Sequence, residues 1–456
     1  MNAELKWIIR YLVVCAVIQL LFAGISRFTE GFTHAHLLRM RFLAAGEMMI
    51  LLWSVFIWRR VGSLLRGGGG ATTSGRPGPP TPLAAANSHD SQTTTSFSTV
   101  TGHDLIRAVL ALEILCSNLC FLMYYVLLGE EPHWFALLSF TSLALALYWF
   151  TLCFGLACAS ALALWAEPRP PLAGLVQRVF RLVPGLRALL CSEQQQTLLS
   201  LGLALLCVGL GLWRGLQPPT VFPVDIRIRS LPSRLDGLRL ALLTDMHIGP
   251  TVGRRRVEQI VGIVNELEPD IVAIAGDLVD GHRSNFWRSV EPLKDLKTKY
   301  GVYFSTGNHE YYHGNVDEWF EFLEGSLGVH VLHNGHRSLV DSTLCLAGVD
   351  DAFAETSGVK GHRMDIDRAL SGCRESDQTV IVLCHQPRHT HAGQYWIVAP
   401  FAYLTNPYFH GLYQHSESKA QIYVSAGAQF WGPPVKNSPL EVTLITLRPA
   451  APGGES

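Results

Sequence analysis

The chain has 456 residues, 48% of them apolar and only 16% charged, against the ~25% charged share of ordinary soluble domains. This composition excludes a disordered chain, a collagen-like chain and a small disulfide scaffold, and part of the protein is expected to sit outside water. The formal net charge of -1 hides two unlike halves: residues 1–217 carry 15 Lys+Arg against 10 Asp+Glu, and residues 218–456 carry 21 against 27. Neither half shows a basic stripe, so no nucleic acid is expected as a partner.

Five apolar stretches, near Trp7–Ser26, Phe42–Trp58, Leu105–Leu128, Trp134–Trp165 and Thr197–Leu216, are long enough to cross ~30 Å of hydrocarbon. The second is marginal and contains Glu47; the fourth is overlong and is expected to tilt or to break near Gly155. The first reads as a signal anchor, since more spans follow it. Residues 1–217 are thus expected to be a membrane domain whose partner is the lipid bilayer. Residues 67–100 form a Gly/Pro/Ser/Thr-rich loop expected to be disordered. Residues 172–190, with Arg178, Arg181 and Arg187 among Leu and Val, suit a basic segment on the bilayer surface. Lys/Arg in the short loops divide nine against six, favouring a cytoplasmic N-terminus and a lumenal or extracellular C-terminal domain. Glu47 and Glu113 are expected to pair within the bundle, and Arg10 and Arg107 to snorkel.

Seven of the ten cysteines lie in the membrane half, within apolar runs. Cys345, Cys373 and Cys384 remain, an odd number without CxxC spacing, which signals neither a disulfide framework nor a zinc knuckle.

After a short tether, 218–235, the pattern changes. Apolar runs LRLALLTD (238–245), IVAIAGD (271–277), VYFSTGN (302–308) and TVIVLCH (379–385) each end in a polar residue, with helical stretches at Arg255–Leu267, Ser289–Thr298 and Val316–Gly325 between them. That is the rhythm of a layered α/β domain with its site outside the strand C-termini. Ser338–Val349, Ala420–Ser425 and Leu440–Leu447 read as further strands, implying a second sheet on the first. The domain covers 236–448, and 449–456 reads as a disordered tail.

Metal-ligand residues gather where these strands stop: Asp245-x-His247, Gly276-Asp277-x-x-Asp280, Gly307-Asn308-His309-Glu310, Cys384-His385-Gln386-Pro387 and His389-Thr390-His391. Carboxylate, imidazole and amide oxygen together suit hard or borderline divalent ions. Singly each cluster is a turn or a cap; the order, repeated after successive strands, carries the information.

These residues resemble the calcineurin-like metallophosphoesterase family, whose pattern is D-x-H, G-D-x-x-D, G-N-H-D/E, H and G-H-x-H. The stretch 423–447 further resembles a membrane-associated branch that includes phosphodiesterases acting on lipid-linked substrates. The resemblance implies a multi-pass α-helical membrane domain followed by an α/β two-sheet (αββα) hydrolase domain. It implies two divalent ions, zinc, manganese or iron. Asp245, His247, Asp277 and His391 would hold the first, and Asp277, Asn308, His385 and His389 the second. A bridging hydroxide would attack the phosphoester. His309 would protonate the leaving oxygen or stabilise the transition state, and Asp280 would orient the site.

One departure stands out. The family separates its lone His from G-H-x-H by a helix and a strand, whereas here His385 runs through Arg388, where the family has Gly, directly into His389. About one βα unit is lacking. The ligands before residue 310 are therefore expected to keep their geometry better than His385, His389 and His391. The competing readings are a catalytically impaired scaffold and, on Glu47, Arg107 and Glu113 alone, a transporter.

Overall fold

The computed structural model describes residues 3–26, 31–67, 101–123, 129–312, 315–374, 376–386, 408, 410–415, 420–436 and 438–450. The loop expected at 67–100, apart from Gly67, and the tail after Ala450 lie outside them. Helices occupy the described residues of all five apolar stretches: α1 (Ala3–Ser26), α2 (Gly31–Gly67), α3 (Gly102–Leu119), α4 (Trp134–Ala166) and, after the short α5 (Pro170–Leu182) and α6 (Leu186–Cys191), α7 (Glu193–Leu216). Four of these, α2, α3 with its extension to Leu122, α4 and α7, are long and apolar enough to cross a membrane.

The second stretch is the middle of a 37-residue helix, so it is not marginal. Of the alternatives for the fourth, the break near Gly155 is excluded: the helix runs unbroken for 33 residues, roughly 50 Å at 1.5 Å per residue. A lone Gly costs ~1 kcal/mol, too little to break a helix whose backbone has no water to bond instead. Small residues Ala144 and Ala204 let α4 and α7 approach around Tyr148, Trp149 and Val208. Among the described residues Glu113 does not pair as expected: neither carboxyl oxygen has a hydrogen-bond partner there. Arg107 instead lies 3.8 Å from Asp104 on its own helix. Helix α5 buries no residue and exposes Leu175, Val179 and Leu182, as a surface-lying segment would.

In the second half the expected tether contains β1 (Thr220–Ile228). Its alternation at Val224, Ile226 and Ile228 is a strand signal, and Pro223 is tolerated because β1 is an edge strand. The large sheet has the order β1, β11 (Glu441–Pro449), β2 (Arg239–Leu243), β3 (Ile271–Ala275), β4 (Val302–Ser305), β5 (Val329–Val331). Only the β11–β2 pairing is antiparallel, so the C-termini of β2, β3 and β4 lie along one edge. The smaller sheet is β6 (Gly335–Leu339), β7 (Leu344–Gly348) and β8 (Thr379–Leu383). A separate pair is β9 (Gly411–Gln414) with β10 (Gln421–Val424).

Alternate residues of the large sheet face opposite ways. Ala241, Leu243, Val272, Ile274 and Phe304 pack on α8 (Arg254–Glu266), α9 (Arg283–Val290) and α11 (Val316–Leu327). Leu240, Ile271, Ala273 and Tyr303 pack on Leu344, Leu346 and Leu383 of the smaller sheet. The expected helix at Ser289–Thr298 is the end of α9 plus a 3-10 turn (Glu291–Asp295), because Pro292 cannot donate to the helical ladder. The expected strand Ser338–Val349 is the β6–β7 hairpin, turned through Val340, Asp341 and Ser342, all at positive φ.

The two halves are bonded together. Arg254 and Arg255 donate their backbone N–H to Glu130 O and Glu131 Oε1 at 2.8 and 2.9 Å, so the loop before α4 caps α8. Arg288 reaches Glu130 Oε1 at 2.8 Å. The Arg256 guanidinium donates to the carbonyls of Gly215, Leu216 and Gln217, capping the C-terminus of α7.

Cys345 on β7 and Cys373 form a disulfide, Cα–Cα 5.7 Å, with Cys384 left free. The odd count concealed it. It closes a loop of sequence separation 28, and on loop-closure grounds Cys345→Ser should cost about 3 kcal/mol. Thermal unfolding of the two forms, with and without reductant, checks this: reductant should bring the unaltered chain down to the variant.

Candidate metal centre

The site is built by loops that continue the strand ladder past its end. After β2 and β3, Asp245 N donates to Gly276 O at 3.1 Å, His247 N to Asp277 O at 3.0 Å and Ile248 N to Leu278 O at 2.9 Å. Asp245, His247 and Asp277 sit at φ 53°, 46° and 51°, the left-handed region that costs of order 1–3 kcal/mol for such residues. Gly307 permits the approach of the next loop, since a Cβ there would lie 2.2 Å from Asp277 Oδ1.

The Glu310 carboxylate holds this crossing together. It accepts from the backbone N–H of Asp277 (3.1 Å), Leu278 (2.8 Å), Val279 (3.2 Å) and Gly307 (2.6 Å). The sequence showed Glu310 as part of a motif without a role. Its signal is position alone, an acid one turn after the strand-ending Gly.

Asp277 is fully buried, and its Oδ2 faces three imidazole Nε2 atoms: His385 at 3.2 Å, His247 at 3.7 Å and His309 at 3.8 Å. Each ring is turned by its other nitrogen. His247 Nδ1 and His309 Nδ1 lie 2.9 and 2.6 Å from Asp280 Oδ1, and His385 Nδ1 donates to Ala275 O at 2.9 Å. With the His385 proton on Nδ1, its Nε2 lone pair and the Asp277 oxygen are two acceptors face to face. Only a proton or a cation reconciles them. Asp245 Oδ1 lies 3.7 Å from His247 Nε2. The ligand atoms form two overlapping groups, His247–Asp277–His309 and Asp245–Asp277–His385, each within 4.8 Å.

The electrostatics point the same way. Burial lowers the His247 imidazole, but Asp280, then Asp245 and Asp277, outweigh it and raise it to about 10. Burial lowers His385 too, yet Asp277 lifts it well above its ordinary value. Burial raises Asp277, and His385, His309 and His247 hold it well below the usual range. The cluster is short of positive charge and recruits protons in its place. The donor set fits divalent ions.

Seven of the sequence-predicted residues therefore come together: Asp245, His247, Asp277, Asp280, Asn308, His309 and His385. Asn308 Oδ1 accepts from Gln386 Nε2, and its Nδ2 donates to Tyr312 Oη at 2.8 Å. His385 holds its place as closely as the earlier residues, contrary to expectation, because β8 is anchored beside β7. His389 and His391 lie outside the described residues.

Residues 238–408 match the model of the calcineurin-like phosphoesterase domain. The chain is 34% identical to a zebrafish transmembrane protein with metallophosphoesterase domain, with 93% of each chain covered. It is 36% identical to the bovine protein of that name over 76% of this chain and 81% of the relative. It is 33% identical to a putative metallophosphoesterase of Caenorhabditis elegans over 98% and 97%. The chain belongs to the calcineurin-like metallophosphoesterase family. It is a phosphoester hydrolase by family, and metallophosphoesterases bind divalent metals, to which these residue groups are suited.

What the family pattern does not announce is the wall around His309. The metallophosphoesterase domain places Tyr312 and Trp431 with ring centroids 4.6 and 5.6 Å from the His309 ring. Behind Trp431, Lys436 donates to the carbonyls of Ala426, Gly427 and Gln429, and burial lowers it to about 8. Because Asp280 orients two imidazoles at once, Asp280→Asn should weaken metal binding ~10–100-fold. Titration of the metal-stripped chain with zinc or manganese measures the change, and unaltered affinity would refute it.

Proposed function

We propose that the chain is a membrane-anchored phosphodiesterase that uses a dinuclear centre and acts on a lipid-linked phosphate. The observation that carries this reading is the convergence of three imidazole Nε2 atoms on the buried Asp277 carboxylate. Asp277 would be shared by both ions, with Asp245 and His247 on one side and Asn308 and His385 on the other; zinc, manganese and iron all suit this set. Bound there, such ions supply positive charge to the phosphoryl oxygens and lower the pKa of water.

The protein's own residues do the rest. Asp280 fixes His309 through Nδ1 and leaves Nε2 aimed into the site, where it can give a proton to the departing oxygen. Tyr312 and Trp431 flank that imidazole and exclude water from the proton transfer. Glu310 keeps the strained loops in register.

A lipid-linked substrate is supported by how the site wall joins the bundle. In the loop that carries Trp431, Gly432 meets Phe140 of α4, Val435 is buried in the bundle core, and Lys436 N donates to Gly211 O of α7 at 3.1 Å. A substrate held at the membrane surface meets such a wall at high effective concentration. The Cys345–Cys373 disulfide, of a kind that persists in oxidising compartments, and the arginines at the far end of α2, α5 and α6 both support a lumenal or extracellular catalytic domain.

The test is metal-dependent hydrolysis of an aryl phosphodiester and of lipid phosphodiesters in vesicles by the detergent-purified full chain. Asp277→Ala should abolish turnover and the metal binding of this centre. His309→Ala should lower kcat ~10²–10⁴-fold while leaving bound metal unchanged. Turnover that survives Asp277→Ala would place the chemistry elsewhere.

A further inference from the structure

A second cluster of metal-ligating side chains lies away from the centre just described. It consists of His333, after β5, Asp350, after β7, and His362, none of which belongs to the strand-ending motifs. His362 is buried, His333 is half-buried and Asp350 is fully buried. Their ligand atoms lie within 4.8 Å of one another.

The contacts give the cluster a definite polarity. His333 Nδ1 is 2.8 Å from Asp350 Oδ1, and His362 Nδ1 is 3.4 Å from Asp350 Oδ2. Among the described residues Asp350 Oδ2 has no hydrogen-bond partner, although the residue is 0% exposed. On its far side, His362 Nε2 lies 3.1 Å from Asp317 Oδ1. A carboxylate only accepts, so the proton of a neutral His362 ring is held on Nε2 and the lone pair on Nδ1 points into the cluster; by the same rule a neutral His333 holds its proton on Nδ1 against Asp350, and a bound cation takes the place of that proton. A ligating histidine whose other nitrogen is held by a carboxylate is the usual arrangement at metal sites. The Tyr311 hydroxyl, 3.2 Å from His362 Nδ1, stands beside the open position.

We propose that His333, Asp350 and His362 bind a further divalent cation of the zinc type, with the Tyr311 hydroxyl or water completing the shell. Two imidazoles and one carboxylate are a common donor set for such an ion. With ligand bonds of ~2.0–2.2 Å, neighbouring donors need to lie only slightly farther apart than these do. The ion is structural. Tyr311 belongs to the short helix α10 (His309–Tyr312), two residues after His309 and so on another side of it. Its hydroxyl is also held 3.0 Å from Thr306 Oγ1, which accepts from Asp351 N at 3.0 Å. A cation at this point ties β5, β7 and the His362 loop behind the helix that carries His309.

The site is independent of the phosphodiesterase reading, and its test keeps the two apart. Metal per chain is counted by elemental analysis of the full chain in detergent, and cobalt(II) is titrated while visible absorption is followed. In a chain carrying Asp245→Asn and Asp277→Asn, one equivalent of zinc should remain. Adding His333→Gln should remove that equivalent, as should adding His362→Gln. In the unaltered chain, His333→Gln should lower the metal count by one and leave the remaining ions in place. Titrated with cobalt(II), the unaltered chain should bind one more equivalent than the His333→Gln chain. No residual metal in the doubly altered chain, or residual metal indifferent to His333 and His362, would overturn the proposal. Loss of activity in the Asp277 variant with the residual equivalent intact would support it and leave the phosphodiesterase reading to its own assay.

Discussion

A carboxylate with no exposure to water costs several kcal/mol unless it is paired and hydrogen-bonded, and Asp277 is such a carboxylate. Much of the catalytic half can be understood as meeting that cost. Three parallel strands end along one edge, so that their loops reach the same point from different directions. The loops cross at positive φ, held by Glu310 and admitted by Gly307, and each imidazole is rotated by a partner on its far nitrogen. The result presents Nε2 atoms and carboxylate oxygens to one another with too little positive charge among them. Divalent ions supply what is missing, so burial of Asp277 and affinity for metal are two aspects of one arrangement.

The membrane half is more than a tether for this domain. The caps of α7 and α8 are exchanged across the junction: Arg256 satisfies the carbonyls at the end of α7, and Glu130 and Glu131 accept the first N–H groups of α8. Helix termini leave such groups unsatisfied by themselves, so each half completes the other. The loop through Trp431 and Lys436 extends the same contact to the wall of the metal centre.

Much of this was legible in the chain. Apolar length marked the helices, because a bilayer of fixed thickness demands it. Strand-ending motifs marked Asp245, His247, Asp277, Asp280, Asn308, His309 and His385, because a site at the end of a parallel sheet must take its residues from there. Where the pattern misled, a pairing partner was missing from view. β1 looked like a tether because its partner β11 lies more than 200 residues away. Nor does the run of charge at Arg254 to Arg256 reveal which backbone caps it meets.

The sequence by itself determined the two-part organisation, the strands that carry the site and the identity of most candidate ligands, since these follow from hydrophobic length, period and motif, all local properties. Tertiary structure alone decided the rest. It set the pairing of Cys345 with Cys373, the four-amide clasp of Glu310, the turning of two imidazoles by Asp280, and the gathering of His333, Asp350 and His362. Each of these joins residues whose proximity is created only when the sheets pack, and no spacing along the chain encodes a contact of that kind.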